Sequence, residues 1–314
     1  MKVSVESMSE KIINTPSKNI LCIDIGGSKI LVGVVNSEGK ILSKEKYALH
    51  PDITADELVN RIILLCKPFQ SFTPTATGVT IPGLADRNTG MWIYAPFSNI
   101  KNIPIADILS KEFNIPCFIE NDVNACALAE KKWGHCKNSS DFLWMTVSNG
   151  IGGALFLENK LYLGSALNAG EIGHFIVTED RDYRCGCGKI GCLEAVASGN
   201  GISKIYKQTT GLQKTAQEIA EIARLGNSEA LHTFDKAAKY IGKALSYAVN
   251  LLNLPQIIIG GGVSESFDLL ESGIKDYLNE YSFVAANKDI KIQKTGLGYY
   301  AALLGCAAIC IERI

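Results

Sequence analysis

The sequence predicts an α/β protein of two similarly built lobes with a cleft between them. Three observations carry that prediction. A β-branched run, NILCIDI (19–25), leads through a glycine-rich turn into ILVGVV (30–35), through Asn36-Ser37-Glu38-Gly39 into ILSKEKY (41–47), and so reads as a three-strand meander. The layout returns at DFLWMTV (141–147), Ser148-Asn149-Gly150-Ile151-Gly152-Gly153 and ALFLENKLYLG (154–164). At 314 residues and 47% hydrophobic content, with no low-complexity linker, the chain can bury the cores of two lobes.

The first 18 residues, MKVSVESMSEKIINTPSK, form a polar leader that is too polar for a signal peptide. No apolar run approaches the roughly 18 residues a membrane span needs. Asp24 ends the first strand, and the turn Gly26-Gly27-Ser28-Lys29 follows. Its backbone N–H groups and the Ser28 hydroxyl can face a phosphate, with Asp24 placed to meet a phosphate-bound Mg²⁺ through water. An ordinary Gly-Gly hairpin would read the same way. No Walker signature occurs in the chain, so an ATP site here would be of another kind.

TADELVNRIILLC (54–66) opens with a cap signal and continues with helical periodicity. TATGVTIPG (75–83) is a strand ending in a Pro-Gly turn, DRNTGMWIYAP (86–96) suggests a hairpin, ADILSKEF (106–113) a short helix and PCFIE (116–120) another strand. At Asn121-Asp122 that strand stops, and a helix rich in Ala starts at once. Asp122 either caps this helix and complements its dipole or serves as a base at a strand's carboxyl end, and the two roles are compatible.

The segment 170–199 packs Cys185, Cys187 and Cys192 into eight residues, with His174 eleven positions upstream and Glu171 and Glu194 just outside. Three thiolates and an imidazole suit tetrahedral Zn²⁺, although the C-x-C-x₄-C spacing also fits three reduced cysteines in a glycine-rich loop. A four-ligand site is closed and structural, so the chemistry is expected beside it rather than on it. Gly186, Gly188 and Gly191 match G-x-G-x-x-G by accident, since the charged run TEDRDYR before them is no buried strand.

Helices are then expected over 195–208, 215–225 and 227–253, a buried strand at QIIIG (256–260), a third glycine turn at Gly260-Gly261-Gly262, and a helix from SESFDLLES onward. The small-residue helix AALLGCAAIC (301–310) is expected to pack back on the first lobe. The ten cysteines, seven of them scattered outside the cluster without a disulfide-like spacing, suggest reduced thiols in the cytoplasm. A net charge of −1 gives no basic footprint for nucleic acid or anionic membrane, which favours small-molecule partners.

Taken together, DIGGSK (24–29), Glu120-Asn121-Asp122, NGIGG (149–153), EIGH (171–174), CGCGKIGCLE (185–194) and GGG (260–262) resemble the ROK family of sugar kinases and sugar-responsive repressors over nearly all of 19–310. The resemblance implies the two-lobed actin-like ATPase (ribonuclease H-like) fold, each lobe a mixed sheet with helices. The small lobe would comprise 19–126 plus 300–314, and the large lobe 127–299 with the zinc loop. It implies Asp122 as catalytic base, with Gly83, Asn121, Asp122, Glu171, His174 and Glu194 binding sugar. His174, Cys185, Cys187 and Cys192 would bind zinc, His174 using a different nitrogen for each task. ATP, with its Mg²⁺, would meet Asp24, Gly26, Gly27, Ser28, Lys29, Asn149, Gly150, Gly152, Gly153, Gly260, Gly261 and Gly262. A homodimer is implied as well.

Three departures from the family pattern stand out. Ser28 replaces a usual Thr and keeps the hydroxyl, Asn149 replaces a usual Thr at a phosphate contact, and the step from His174 to Cys185 is one residue longer. The leading expectation is ATP-dependent phosphorylation of a hexose, glucose first, with N-acetylmannosamine, fructose or a β-glucoside as alternatives. A sugar-sensing repressor is the alternative of another class. Repressors of this family carry a helix-turn-helix domain ahead of the first glycine turn, for which the 23 residues before Asp24 are expected to be too few. A catalytically dead sugar-binding protein is disfavoured by the intact Asp122.

Overall fold

The computed structural model describes residues 17–50, 53–95, 100–283, 285 and 289–314. Most of the polar leader therefore lies outside the described residues, as does Pro96 of the expected hairpin.

Two five-stranded mixed sheets share one topology. The first contains β1 (Asn19–Ile25), β2 (Lys29–Asn36), β3 (Ile41–Ala48), β4 (Ala76–Ile81) and β8 (Cys117–Asn121) in the order β3-β2-β1-β4-β8. The second contains β9 (Phe142–Val147), β10 (Ile151–Leu157), β11 (Lys160–Tyr162), β12 (Gln256–Gly260) and β13 (Lys291–Lys294) in the order β11-β10-β9-β12-β13. In each an antiparallel meander is extended by two parallel strands, so the repeat seen in the sequence is a repeat of structure.

The central strands are continuously apolar because both faces are covered. Along β9, Phe142 and Trp144 face the layer between the sheets, while Leu143, Met145 and Val147 face outward under helices. The outer face of the first sheet is covered by α1 (Ala55–Cys66) and α2 (Ile105–Phe113). That of the second is covered by α4 (Leu193–Ala197), α5 (Gly199–Thr210), α6 (Ala216–Arg224), α7 (Ser228–Leu252) and α8 (Phe267–Tyr281). Between the sheets lie α3 (Asp122–Trp133) and α9 (Ala301–Arg313), buried together in one cluster with residues of both.

The small residues of α9 explain that close seat. A Cβ on Gly78 of β4 would stand 1.9 Å from the Cys306 carbonyl oxygen, and one on Gly305 would stand 2.7 Å from the Ala125 backbone of α3. Helix α9 thus packs on the first sheet as expected.

Thr54 caps α1 in a capping box with Glu57. The hairpin expected at 86–96 appears as β5 (Leu84–Asp86) and β6 (Met91–Tyr94), and β7 (Lys101–Ile103) completes a small third sheet. The helix expected over 195–208 is broken at Ser198. That residue is extended (φ −68°, ψ 171°), and its hydroxyl accepts from the Gly201 N–H to cap α5. Helix α8 starts at Phe267 rather than Ser264, after a 3₁₀ segment at Gly262–Ser266.

Candidate active site

Three chain reversals carry the glycine-rich motifs, and the second and third lie side by side, a Cβ on Gly262 standing 3.8 Å from the Ser148 hydroxyl. At the first, Leu49 N–H donates to the Ser28 carbonyl, and the Gly26 N–H closes the hairpin on the Lys29 carbonyl at 2.8 Å. Gly26 is therefore not a free donor, and the exposed Gly27 and Ser28 are what the turn presents. Asp24, just before it, accepts the Thr80 hydroxyl at 2.9 Å. Burial raises the Asp24 carboxyl above its ordinary value, against the Thr80 bond and the charge of Lys29, which lower it. The Lys29 ammonium reaches the Tyr299 hydroxyl at 2.6 Å.

The second reversal, Ser148 to Gly150, is tied to the segment that follows the cysteine cluster. Ile151 N–H donates to Glu194 Oε2 at 3.1 Å, and Asn200 Nδ2 donates to the Asn149 carbonyl. Gly152 and Gly153 lie inside β10 rather than in the turn. A Cβ on Gly153 would meet the Gly170 carbonyl oxygen at 2.7 Å, so the missing side chain is what lets the segment before Glu171 approach β10. At the third reversal Gly261 has φ +86°, a left-handed backbone that only glycine adopts without strain, and it turns the chain beside Thr146 and Val147. Gly260 lies against the Trp144 ring, and Gly262 opens the 3₁₀ segment before α8.

The junction of β8 and α3 differs from the capping reading of Asp122. Asn121 is the N-cap, and its Oδ1 accepts from the N–H groups of Val123 (2.9 Å) and Asn124 (3.2 Å). Either side chain suits a cap by type, and the extended backbone falls on Asn121. Its amide nitrogen also donates to the Gly83 carbonyl, which brings two expected sugar contacts together. Asp122 is thereby relieved of capping and keeps one oxygen clear of the helix, while Oδ1 accepts from Val123 N–H at 3.0 Å. Enclosure by protein first, then the nearby Asp24 charge, pushes its carboxyl up to about 7; the Glu171 charge pushes the same way.

The residue before this pair supports it. Glu120, 2% exposed, accepts from Asn121 N–H (3.0 Å) and Asn124 Nδ2 (3.2 Å), and its other oxygen lies 3.1 Å from Arg87 Nε as an ion pair without an aligned hydrogen bond. Arg87 also pairs with Glu312 of α9. Arg87 and Thr80 were not among the residues expected at the site. Arg87 lies 33 positions from Glu120, and Thr80 has only its place on a buried strand, so neither carries a local signal.

His174, Cys185, Cys187 and Cys192 place one ligand atom each within 4.8 Å of one another. The Cys187 and Cys192 sulfurs are 3.6 Å apart and the Cys185 sulfur is 3.8 Å from His174 Nδ1. Two sulfurs at about 2.3 Å from one tetrahedral ion lie about 3.8 Å apart, so the donor set and its spacing fit Zn²⁺. His174 turns Nδ1 to the thiols and Nε2 to Glu171, 3.9 Å away. Glu194 follows the last cysteine by two residues and bridges the two sides, with Oε1 3.6 Å from the Cys185 sulfur and Oε2 on the second turn.

The ROK family profile matches residues 20–313. The chain belongs to the ROK family. Relatives of both functional kinds are similar over nearly its full length. The glucokinase of Thermotoga maritima is 29% identical over 95% of this chain and 99% of its own. The xylose repressor of Caldicellulosiruptor bescii is 28% identical over 96% of this chain and 80% of its own. Among solved structures, a ROK family glucokinase from Streptomyces griseus in complex with glucose and AMPPNP superimposes with a TM-score of 0.81 at 30% identity, covering 93% of this chain and 98% of that one. The fold is accordingly the actin-like ATPase fold of ROK sugar kinases. Among the described residues no helix is long and apolar enough to cross a membrane.

Proposed function

We propose that this ROK protein is an ATP-dependent hexose kinase with Asp122 as general base and glucose as first-choice substrate. The observation that carries the reading is the state of Asp122: uncapped, at a strand's carboxyl end, and held near pH 7 by enclosure and by Asp24. A base is most effective when its pKa lies near the working pH. A buried structural carboxylate would instead be paired, as Glu120 is with Arg87.

In this reading the glycine turns at 26–28 and 148–150 receive the triphosphate, with Asp24 facing the Mg²⁺ that accompanies it. Gly83, Asn121, Glu171, His174 and Glu194 orient the sugar. Phosphoryl transfer is mostly positioning and charge stabilisation, so the protein's task is to hold the hydroxyl in line and take its proton at Asp122. When bound, zinc would fix the His174 ring through Nδ1. This chain's own contribution is then to present Nε2 and the Glu171 carboxylate to sugar hydroxyls, rejecting analogues that lack one and leave a polar group unpaired.

Incubation with ATP and a panel of hexoses, following ADP release, tests the reading, and no sugar-dependent release on any hexose would overturn it. The similarity to a xylose repressor favours a second reading, a sugar-sensing regulator. Tight sugar binding without turnover would establish that alternative.

A further inference from the structure

The hydroxyl bonded to Asp24 has no task in the scheme above. Parallel pairing sets Asp24 of β1 beside Thr80 of β4, and Thr80 beside Glu120 of β8. Neighbours in register on parallel strands show their side chains on one face, so one rung of the first sheet carries a carboxylate, a hydroxyl and a second carboxylate. Asn121 lies on the next rung, and Asp122 follows it. Glu120 is engaged by Arg87, Asn121 and Asn124, and the Thr80 hydroxyl goes to Asp24.

Nothing in the strand itself calls for a hydroxyl at this position. All six residues of β4 are buried, and Thr80 is 0% exposed. Valine has the same branched shape, suits a buried strand as well and brings no polar atom to be satisfied. The hydroxyl is instead held from both sides. Thr80 Oγ1 donates to Asp24 Oδ1 at 2.9 Å. The Cys306 sulfur of α9 lies 3.6 Å from Thr80 Oγ1, close enough for the thiol to donate to that oxygen or to the Ile23 carbonyl at 3.4 Å. The last helix therefore backs the residue that holds Asp24.

Among the described residues no other group donates a hydrogen bond to Asp24. One carboxylate oxygen is thus fixed, and the second is left for a ligand. That arrangement fits a hydrated Mg²⁺, whose bound waters donate to carboxylate oxygens. How well a carboxylate serves an ion depends on the outer partners that orient it. Without the Thr80 bond the Asp24 side chain would rotate more freely, and it would have to be ordered when the nucleotide binds.

We propose that Thr80 is a positioning residue for the phosphoryl donor: its hydroxyl aims Asp24 at the Mg²⁺ that accompanies the nucleotide. The proposal rests on the kinase reading for the partner of Asp24, but nucleotide binding tests it without turnover.

The test is calorimetric titration of ADP into the full chain, in excess Mg²⁺ and in EDTA. It compares wild type, Thr80→Val, Thr80→Ser, Asp24→Asn and the double variant Asp24→Asn/Thr80→Val. In wild type Mg²⁺ should tighten ADP binding by at least about tenfold. Thr80→Val should cut that gain by at least about fivefold while ADP affinity in EDTA changes less than about twofold, and Thr80→Ser should restore most of the gain. In the Asp24→Asn background Thr80→Val should have no further effect, because Thr80 acts through Asp24. In steady-state phosphorylation Thr80→Val should raise the KM for ATP at least about fivefold and leave the sugar KM within about twofold. Circular dichroism of Thr80→Val should match wild type, as the two side chains share a shape.

An equal Mg²⁺ gain in wild type and Thr80→Val overturns the proposal, as does the absence of any Mg²⁺ gain in wild type. Additive losses from Asp24→Asn and Thr80→Val overturn it too, since Thr80 would then act through packing alone. If Thr80→Val removes the Mg²⁺ gain yet wild type phosphorylates no hexose, the kinase reading fails and this one stands. If wild type phosphorylates a hexose and Thr80→Val behaves as wild type throughout, this one fails and the kinase reading stands.

Discussion

Replacing Asp122 by Asn should cut turnover and, above neutral pH, stabilise the protein. The carboxyl stands at about 7 in the fold against an ordinary 3.8. At about 1.4 kcal/mol per tenfold this amounts to at most roughly 4 kcal/mol, because Asp122 retains some solvent access. The sign follows from the direction of the shift. A carboxyl raised in the fold favours the native state while protonated, so that advantage is complete below about pH 4 and is lost as pH rises to about 7. An Asn carries no such dependence. Urea unfolding should therefore show the variant more stable than wild type at pH 8, with the gap closing toward pH 4. Turnover should fall about 10²- to 10⁴-fold above pH 7, because the amide keeps a hydrogen bond but cannot accept a proton, with the gap narrowing at lower pH as the wild-type carboxyl is protonated. The wild-type acid limb should centre near pH 7. Near-normal turnover in the variant, or a wild-type rate flat from about pH 5.5 to 8.5, would refute the assignment.

Metal analysis should find one zinc per chain, and Cys187→Ser should lower both zinc content and thermal stability, since binding to a structural site contributes to folding free energy. Glu194→Gln should raise the sugar KM by about tenfold and the ATP KM by less, as the amide still accepts from Ile151 N–H but loses the charge; the reverse ranking in steady-state kinetics would assign the carboxylate to the nucleotide. Arg87→Ala should cost about 3–5 kcal/mol in urea unfolding by leaving the buried Glu120 carboxylate unpaired, whereas Glu120→Gln should cost less. Small-angle scattering should show compaction at saturating sugar, because water must be kept from the phosphoryl group while the turns at 26–28 and 148–150 approach each other.

Much of this architecture is written locally in the chain. The two meanders, the capping box of α1 and the packing of α9 follow from apolar runs, cap residues and a small-residue helix face, each readable within about thirty consecutive residues. The Cys₃His cluster was legible for the same reason, its four ligands falling within nineteen positions. The failures share the opposite cause. Asn121 and Asp122 are adjacent and both suit a cap, so only the backbone turn decides between them. The break at Ser198 depends on a hydroxyl capping α5 in a stretch whose composition also suits a continuous helix. Strand β13, KIQK, is a short edge whose alternation has little contrast, and it is recruited by pairing with β12. Arg87 and Glu120 meet only because β5 and β8 are brought side by side.

Glu194 ties the Cys₃His cluster to the second glycine turn. Its backbone lies in the first turn of α4, two residues after Cys192, and its two oxygens face the Cys185 sulfur and the Ile151 N–H. A loop of low intrinsic order would leave that carboxylate free to sample many positions, and its share of any sugar contact would be offset by the entropy of holding it. A metal closing Cys185, Cys187 and Cys192 onto one centre would remove that freedom and would orient His174 as well. The second glycine turn is fastened to Glu194 on one side and to Asn200 of α5 on the other. In the proposed kinase the Cys/His loop would set the contacts made by residues 148–194 relative to each other, leaving Asp122 and the first glycine turn, both on the first sheet, to be aligned with them.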